Sequence, residues 1–145
     1  MRKPNVLLIT ADHMRGDALA CNGNPFVHTP HLDRLAARGT TYRNAFTPNP
    51  ICVPGRAAIT TGNYPHVCTG NKNNSGRIRD DQVTIARHFD AAGYETYAVG
   101  KLHYVPYSPP GQPRLLHGFH HAELCEEGRI VALFDSHGET HGLEE

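Results

Sequence analysis

The sequence carries no net charge: across 145 residues, Lys and Arg number 14, and so do Asp and Glu. A surface that holds polyanions through bulk charge needs a basic excess, so nucleic acid is not an expected partner. Long apolar runs are missing as well. No stretch approaches the roughly 20 residues of a membrane span, and no membrane association is expected. Arg2 and Lys3 could open a signal peptide, but the apolar run that follows, Val6 to Ile9, is only four residues long. A signal core needs about 7–15, so the expected location is cytoplasmic. Cysteine is sparse: Cys21, Cys52, Cys68 and Cys125 form no C-x-x-C pair. That excludes a zinc knuckle and a dense disulfide framework; it fits a reducing compartment while leaving room for two disulfides.

What is present points to one compact domain rich in turns, with 14 Gly, 11 Pro and a hydrophobic share of 39%. A chain of this size buries about two-thirds of its unfolded surface. The 11 His residues make the charge swing positive as pH falls through about 6.5. Val6 to Ile9 has the continuous apolar pattern of a strand buried on both faces of a parallel sheet. Thr29-Pro30 opens a helix with Leu32, Leu35 and Ala36 on one side and Gly39 as its stop. Thr41 to Phe46 is a weaker strand. Pro54 to Thr61 reads as a helix closed by Gly62, and Asn63 to Gly76 as a polar surface loop. Asp80 or Asp81 is expected to cap the next helix, with Val83, Ala86 and Phe89 as its buried stripe, Ile85 alongside and Gly93 at its end. Thr96 to Val99 and Ile130 to Phe134 are further strands, separated by an extended segment with four prolines between Pro106 and Pro113.

Strands alternating with helices predict an α/β fold: a central, mostly parallel sheet flanked by helices. Ligands in such sheets sit beyond the carboxyl ends of the strands. That rule puts Asp12, Lys101 and His103 on one rim, and the loop leading to Cys52 within reach of it.

The most informative segment is Cys52-Val53-Pro54-Gly55-Arg56, followed by Thr61-Gly62. It sets a sulfur at a helix mouth with Pro in the first turn. Unpaired N–H groups and the positive dipole end favour anions there. Arg56, one turn in, adds a planar fork of donors suited to a tetrahedral oxyanion. Read singly, each residue has a plainer role: Cys52 a structural cysteine, Asp12 a capping residue, Lys101 a solvated cation, His103 a core imidazole.

Taken together they resemble the sulfatase family of the alkaline phosphatase superfamily. Cys-x-Pro-x-Arg with a following Thr-Gly is similar to the family signature. Asn5 to Asp12 resembles its opening strand and first metal ligand, and His28 to Ala36 its first well-marked helix. Gly100-Lys101-Leu102-His103 and Leu116-His117-Gly118-Phe119 resemble two later elements, in family order. The resemblance implies an alkaline phosphatase/sulfatase-like sheet and hydrolysis of sulfate esters, small-molecule or saccharide. It implies that a formylglycine-generating enzyme converts Cys52 to formylglycine, whose hydrate attacks sulfur and then releases sulfate by C–O cleavage. It further implies that Asp12 and residue 52 ligate a divalent cation, Ca2+ first. Arg56 would hold the hydrate and sulfate oxygens, Lys101 and Asn73 would bind sulfate, and His103 would act as base.

Three departures qualify the resemblance. His13 stands where many relatives have a second acidic ligand, which leaves Mn2+ as the alternative ion. Gly55 replaces the usual Ser or Ala, at a cost in helix propensity of about 1 kcal/mol. Sulfatases run to several hundred residues, so residues 1–145 are expected to be the N-terminal part of the catalytic domain, with its second half absent and an apolar face or sheet edge left exposed. Asp135 and His137 read as a surface turn rather than the family's late metal ligands. His117, His120 and His121 are not a helical zinc cluster, because Gly118 and the Pro-rich run argue against a helix. The alternatives are a phosphonate or phosphate monoester hydrolase on the same scaffold, and a truncated, non-catalytic fragment.

Overall fold

The computed structural model describes residues 3–70, 73–104, 116–126 and 129–134, with only the backbone described for 126 and 129–134. The predicted Pro106–Pro113 segment and the Asp135–His137 tail lie outside the described residues. The chain divides into two compact units, Met1–Phe46 and Thr47–Glu145.

In the first unit a 3-10 turn, Ala20–Asn22, precedes α1, Pro30–Arg38. Thr29 enters α1 as expected, with Pro at the first position, but its hydroxyl serves the neighbouring turn. Thr29 Oγ1 accepts from Ala20 N at 3.0 Å and donates to Asp33 Oδ1 at 2.9 Å, while Asp33 Oδ1 also accepts from Cys21 N. These bonds tie the turn to the helix entrance. The strand expected at Val6 to Ile9 is not formed, and its side chains are 59–82% exposed. A strand exists only through hydrogen bonds to a neighbour, and among the described residues none pairs with this run. The same holds for Thr41 to Phe46, which contains a turn at Arg43-Asn44.

The second unit holds α2 (Cys52–Thr61), α3 (Pro65–Cys68), α4 (Ile85–Ala91), β1 (Tyr97–Gly100), β2 (His121–Glu126) and β3 (Arg129–Phe134). The sheet runs β1-β2-β3, with β1 parallel and β3 antiparallel to β2. The α/β class therefore stands. β2 is absent from the sequence reading although His121 to Cys125 alternates strictly. Ala122 and Leu124 point into a core with Ala98 and Leu116, while His121, Glu123 and Cys125 face outward. Tyr97 and Val99, on the outer face of β1, are exposed.

α4 starts later than predicted. Thr84, not Asp80 or Asp81, is its N-cap, accepting from Arg87 N. Asp81 instead pairs with Arg79 at 2.8 Å. Only Ala86 of the predicted stripe is fully buried; Phe89 is half-buried, and Val83 and Ile85 face solvent.

Candidate active site

The site grows from α2. It begins at Cys52, so Pro54 falls in the first turn, where its missing N–H removes no helical bond. Gly62 ends it at φ +69°. Gly55 has a steric reason as well: a Cβ there would lie 2.7 Å from the backbone oxygen of Asn49. The preceding loop therefore packs directly on the first turn.

One stripe of α2, residues 52, 56 and 60, faces the segment that leaves β1. Lys101 Nζ lies 3.9 Å from Cys52 Sγ. Arg56 donates to the Lys101 carbonyl at 2.5 Å. Thr60 donates to the Tyr104 phenol at 2.6 Å. Spacing by four on a helix puts these groups in a row, and the row sets the register of Lys101, Leu102, His103 and Tyr104. The adjoining side of α2 buries Ala57 against Cys68 and Ile78, with Tyr104 packed on that cluster. The Tyr104 carbonyl accepts from Ile78 N at 3.1 Å.

Cys52, Arg56 and Lys101 are thus brought together, each partly buried, and His103 is buried two residues further along at φ +45°. Asn73, expected to bind sulfate, has its side-chain oxygen engaged within its own loop. Its Oδ1 accepts from the amide and hydroxyl of Ser75, shaping the loop. The neighbouring Asn74 reaches the helix mouth instead, its Oδ1 accepting from Val53 N at 3.0 Å. The sequence reading did not assign this role to Asn74, because the bond depends on the path of the loop back to the helix.

Asp12 and His13 belong to the first unit, where they form an exposed turn with His13 at φ +57°. Within the second unit alone, no three His, Cys, Asp or Glu side chains among the described residues gather at ligating distance. The histidines weighed for zinc are otherwise engaged. His120 meets Asp90 and His121 meets Glu95, each at 3.1 Å, and His117 is buried.

A sulfur at a helix mouth, with an ammonium beside it and a guanidinium one turn further along the helix, is an arrangement suited to an anion. The family model for sulfatases matches residues 4–141. The chain belongs to the sulfatase family. It is 42% identical over 124 residues to an arylsulfatase of Clostridium perfringens, covering 84% of this chain and 24% of that protein. With the choline-sulfatase of Rhizobium meliloti it shares 35% over 117 residues, covering 81% and 22%. Among solved structures it resembles BT4656 in complex with D-glucosamine-2-N,6-O-disulfate, with a TM-score of 0.74, 28% identity, and 89% of this chain and 24% of that one covered. It also resembles the phosphonate monoester hydrolase of Agrobacterium radiobacter, with a TM-score of 0.71, 30% identity and coverages of 86% and 26%. The chain spans about a quarter of the length of these relatives.

Proposed function

We propose that this chain forms the N-terminal, sulfate-gripping part of a sulfuric ester hydrolase of the arylsulfatase type. The observation that carries the reading is the row on α2: Lys101 Nζ beside Cys52 Sγ, with Arg56 fastened to the Lys101 carbonyl. Two cations at a helix N-terminus favour a tetrahedral anion. Lys101 acts as a compact point charge and Arg56 as an orienting fork. His103 follows on the same short segment and takes the role of base. Asn74, through its bond to Val53 N, holds the helix mouth in shape.

Formylglycine, made from Cys52 by a formylglycine-generating enzyme, would supply the nucleophilic oxygen where the thiol now stands. Asp12 would hold the divalent cation together with residue 52. Its carboxylate oxygen suits Ca2+, and the adjoining His13 imidazole makes Mn2+ the alternative. The substrate class is a small-molecule or saccharide sulfate ester, handled in the cytoplasm. The same pair of cations also suits a phosphonate or phosphate monoester, which the likeness to the phosphonate monoester hydrolase favours as the second reading.

The test is kcat/KM for aryl sulfate against aryl phosphonate, using the whole polypeptide that carries these residues. Preference for sulfate, lost in Cys52→Ala, supports the first reading, and preference for phosphonate the second. Activity that survives Cys52→Ala refutes both. The 145 residues alone should turn over poorly, because one carboxylate and residue 52 hold a hard cation weakly.

A further inference from the structure

We propose that His117 is a positioning residue that holds Tyr104, and through it the Lys101–His103 segment, in register on α2. The proposal deepens the reading of the site given above and rests on it for its catalytic consequence.

The segment from Lys101 to Tyr104 belongs to neither a helix nor a strand. It has no strand ladder; besides the bond from Ile78 N to the Tyr104 carbonyl, side-chain ties contribute to its register. Arg56 and Thr60 supply two of them. The third element is the turn at Leu116-His117-Gly118-Phe119. The His117 ring meets the Tyr104 ring edge to face, with centroids 5.5 Å apart and planes at 82°. That geometry is a favoured aromatic arrangement, and it fixes the plane of the tyrosine ring. The plane in turn sets the direction in which the phenol oxygen meets Thr60 Oγ1.

His117 is itself held firmly. Its backbone is left-handed at φ +51°. Its carbonyl accepts from the hydroxyl of Thr84, a fully buried side chain that also caps α4. Gly118, at φ +97°, lets the turn close on α4, since a Cβ there would lie 2.7 Å from Arg87 N. His117 is 6% exposed, and its Nε2 is buried with no hydrogen-bond partner among the described residues. An unpaired buried nitrogen is unfavourable, so polarity does not account for a histidine here. A flat ring seated against Tyr104 does.

The experiment reads the register without relying on turnover. In the 145-residue chain, Cys52 is alkylated with iodoacetate and with iodoacetamide, and modification is followed on the Cys52 peptide. The ratio of the two rates reports positive charge near the sulfur. Lys101→Gln, the control, should lower the ratio about fivefold, the attraction of one charge at 4 Å in water. His117→Ala should lower it nearly as far, and His117→Phe, which restores a flat ring, should bring it back to within twofold of the parent. In the whole polypeptide, the same pair should lower and then rescue kcat for an aryl sulfate, with KM changing less.

A folded His117→Ala chain with the parent ratio overturns the proposal, as does a His117→Phe chain that keeps the lowered ratio. Absence of sulfatase and phosphonatase activity in the parent polypeptide refutes the catalytic reading instead, whatever the alkylation ratios show.

Discussion

Burial pushes the His117 imidazole down to about 4 from its usual 6.5, the nearby Arg87 guanidinium acting in the same direction and Asp80 opposing it. Among the described residues, the Tyr104 ring also packs against it. The folded chain therefore binds this proton less readily than the unfolded chain does. Between pH 6.5 and about 4, the unfolded state carries the extra proton, so stability falls as pH falls. Above 6.5 the penalty is absent; below about 4 it is complete. The full depression corresponds to about 3 kcal/mol, and at pH 5 the penalty is about 2 kcal/mol. For a chain of this size that is a fall in Tm of about 4–8 °C. The other histidines also titrate in this window, so the comparison is between the parent and His117→Phe, each melted at pH 7.5 and pH 5. The parent should lose the additional 4–8 °C, and the phenylalanine variant should not. Equal pH dependence in the two chains would refute the placement of a neutral, buried imidazole at position 117.

Three further outcomes follow from packing. Gly55→Ala gains about 1 kcal/mol of helix propensity, but its Cβ would press on the Asn49 backbone oxygen, and such overpacking costs about 1–3 kcal/mol. A lower urea midpoint is expected, and a higher one would contradict the tight loop contact. Thr84→Val removes the cap of α4 and leaves the buried His117 carbonyl without its donor, a loss of about 2–4 kcal/mol in denaturant unfolding. Asn74→Ala should destabilise by about 1 kcal/mol through the lost helix-mouth bond. It should also lower aryl sulfate turnover in the whole polypeptide more than Asn73→Ala does, with relative kcat as the readout.

The site row follows directly from the helix repeat. Cys52, Arg56 and Thr60 are four residues apart, so one ordered helix presents all three to whatever passes beside it. The strand ahead of Lys101 then delivers the passing segment. Because Arg56 bonds to the backbone carbonyl of Lys101, that bond survives substitution of the Lys101 side chain. Lys101→Gln accordingly isolates charge from register.

The sequence by itself determined what is local. The Cys-x-Pro-x-Arg pattern, Pro54 inside the first turn and Gly62 beyond the last define α2, because capping and helical spacing act over a few residues. The helix at Pro30 and the strand before Lys101 were legible on the same grounds, and so was the kinship with sulfatases. Tertiary structure alone decided the rest. The apolar run Val6 to Ile9 has every mark of a buried strand, yet a strand needs a partner's hydrogen bonds, which no property of four residues can supply. The bond from Val53 N to Asn74, the choice of Thr84 over Asp80 and Asp81, and the seating of His117 against Tyr104 each depend on where a distant segment passes. Those contacts join residues far apart in sequence, and residue order carries no direct record of them.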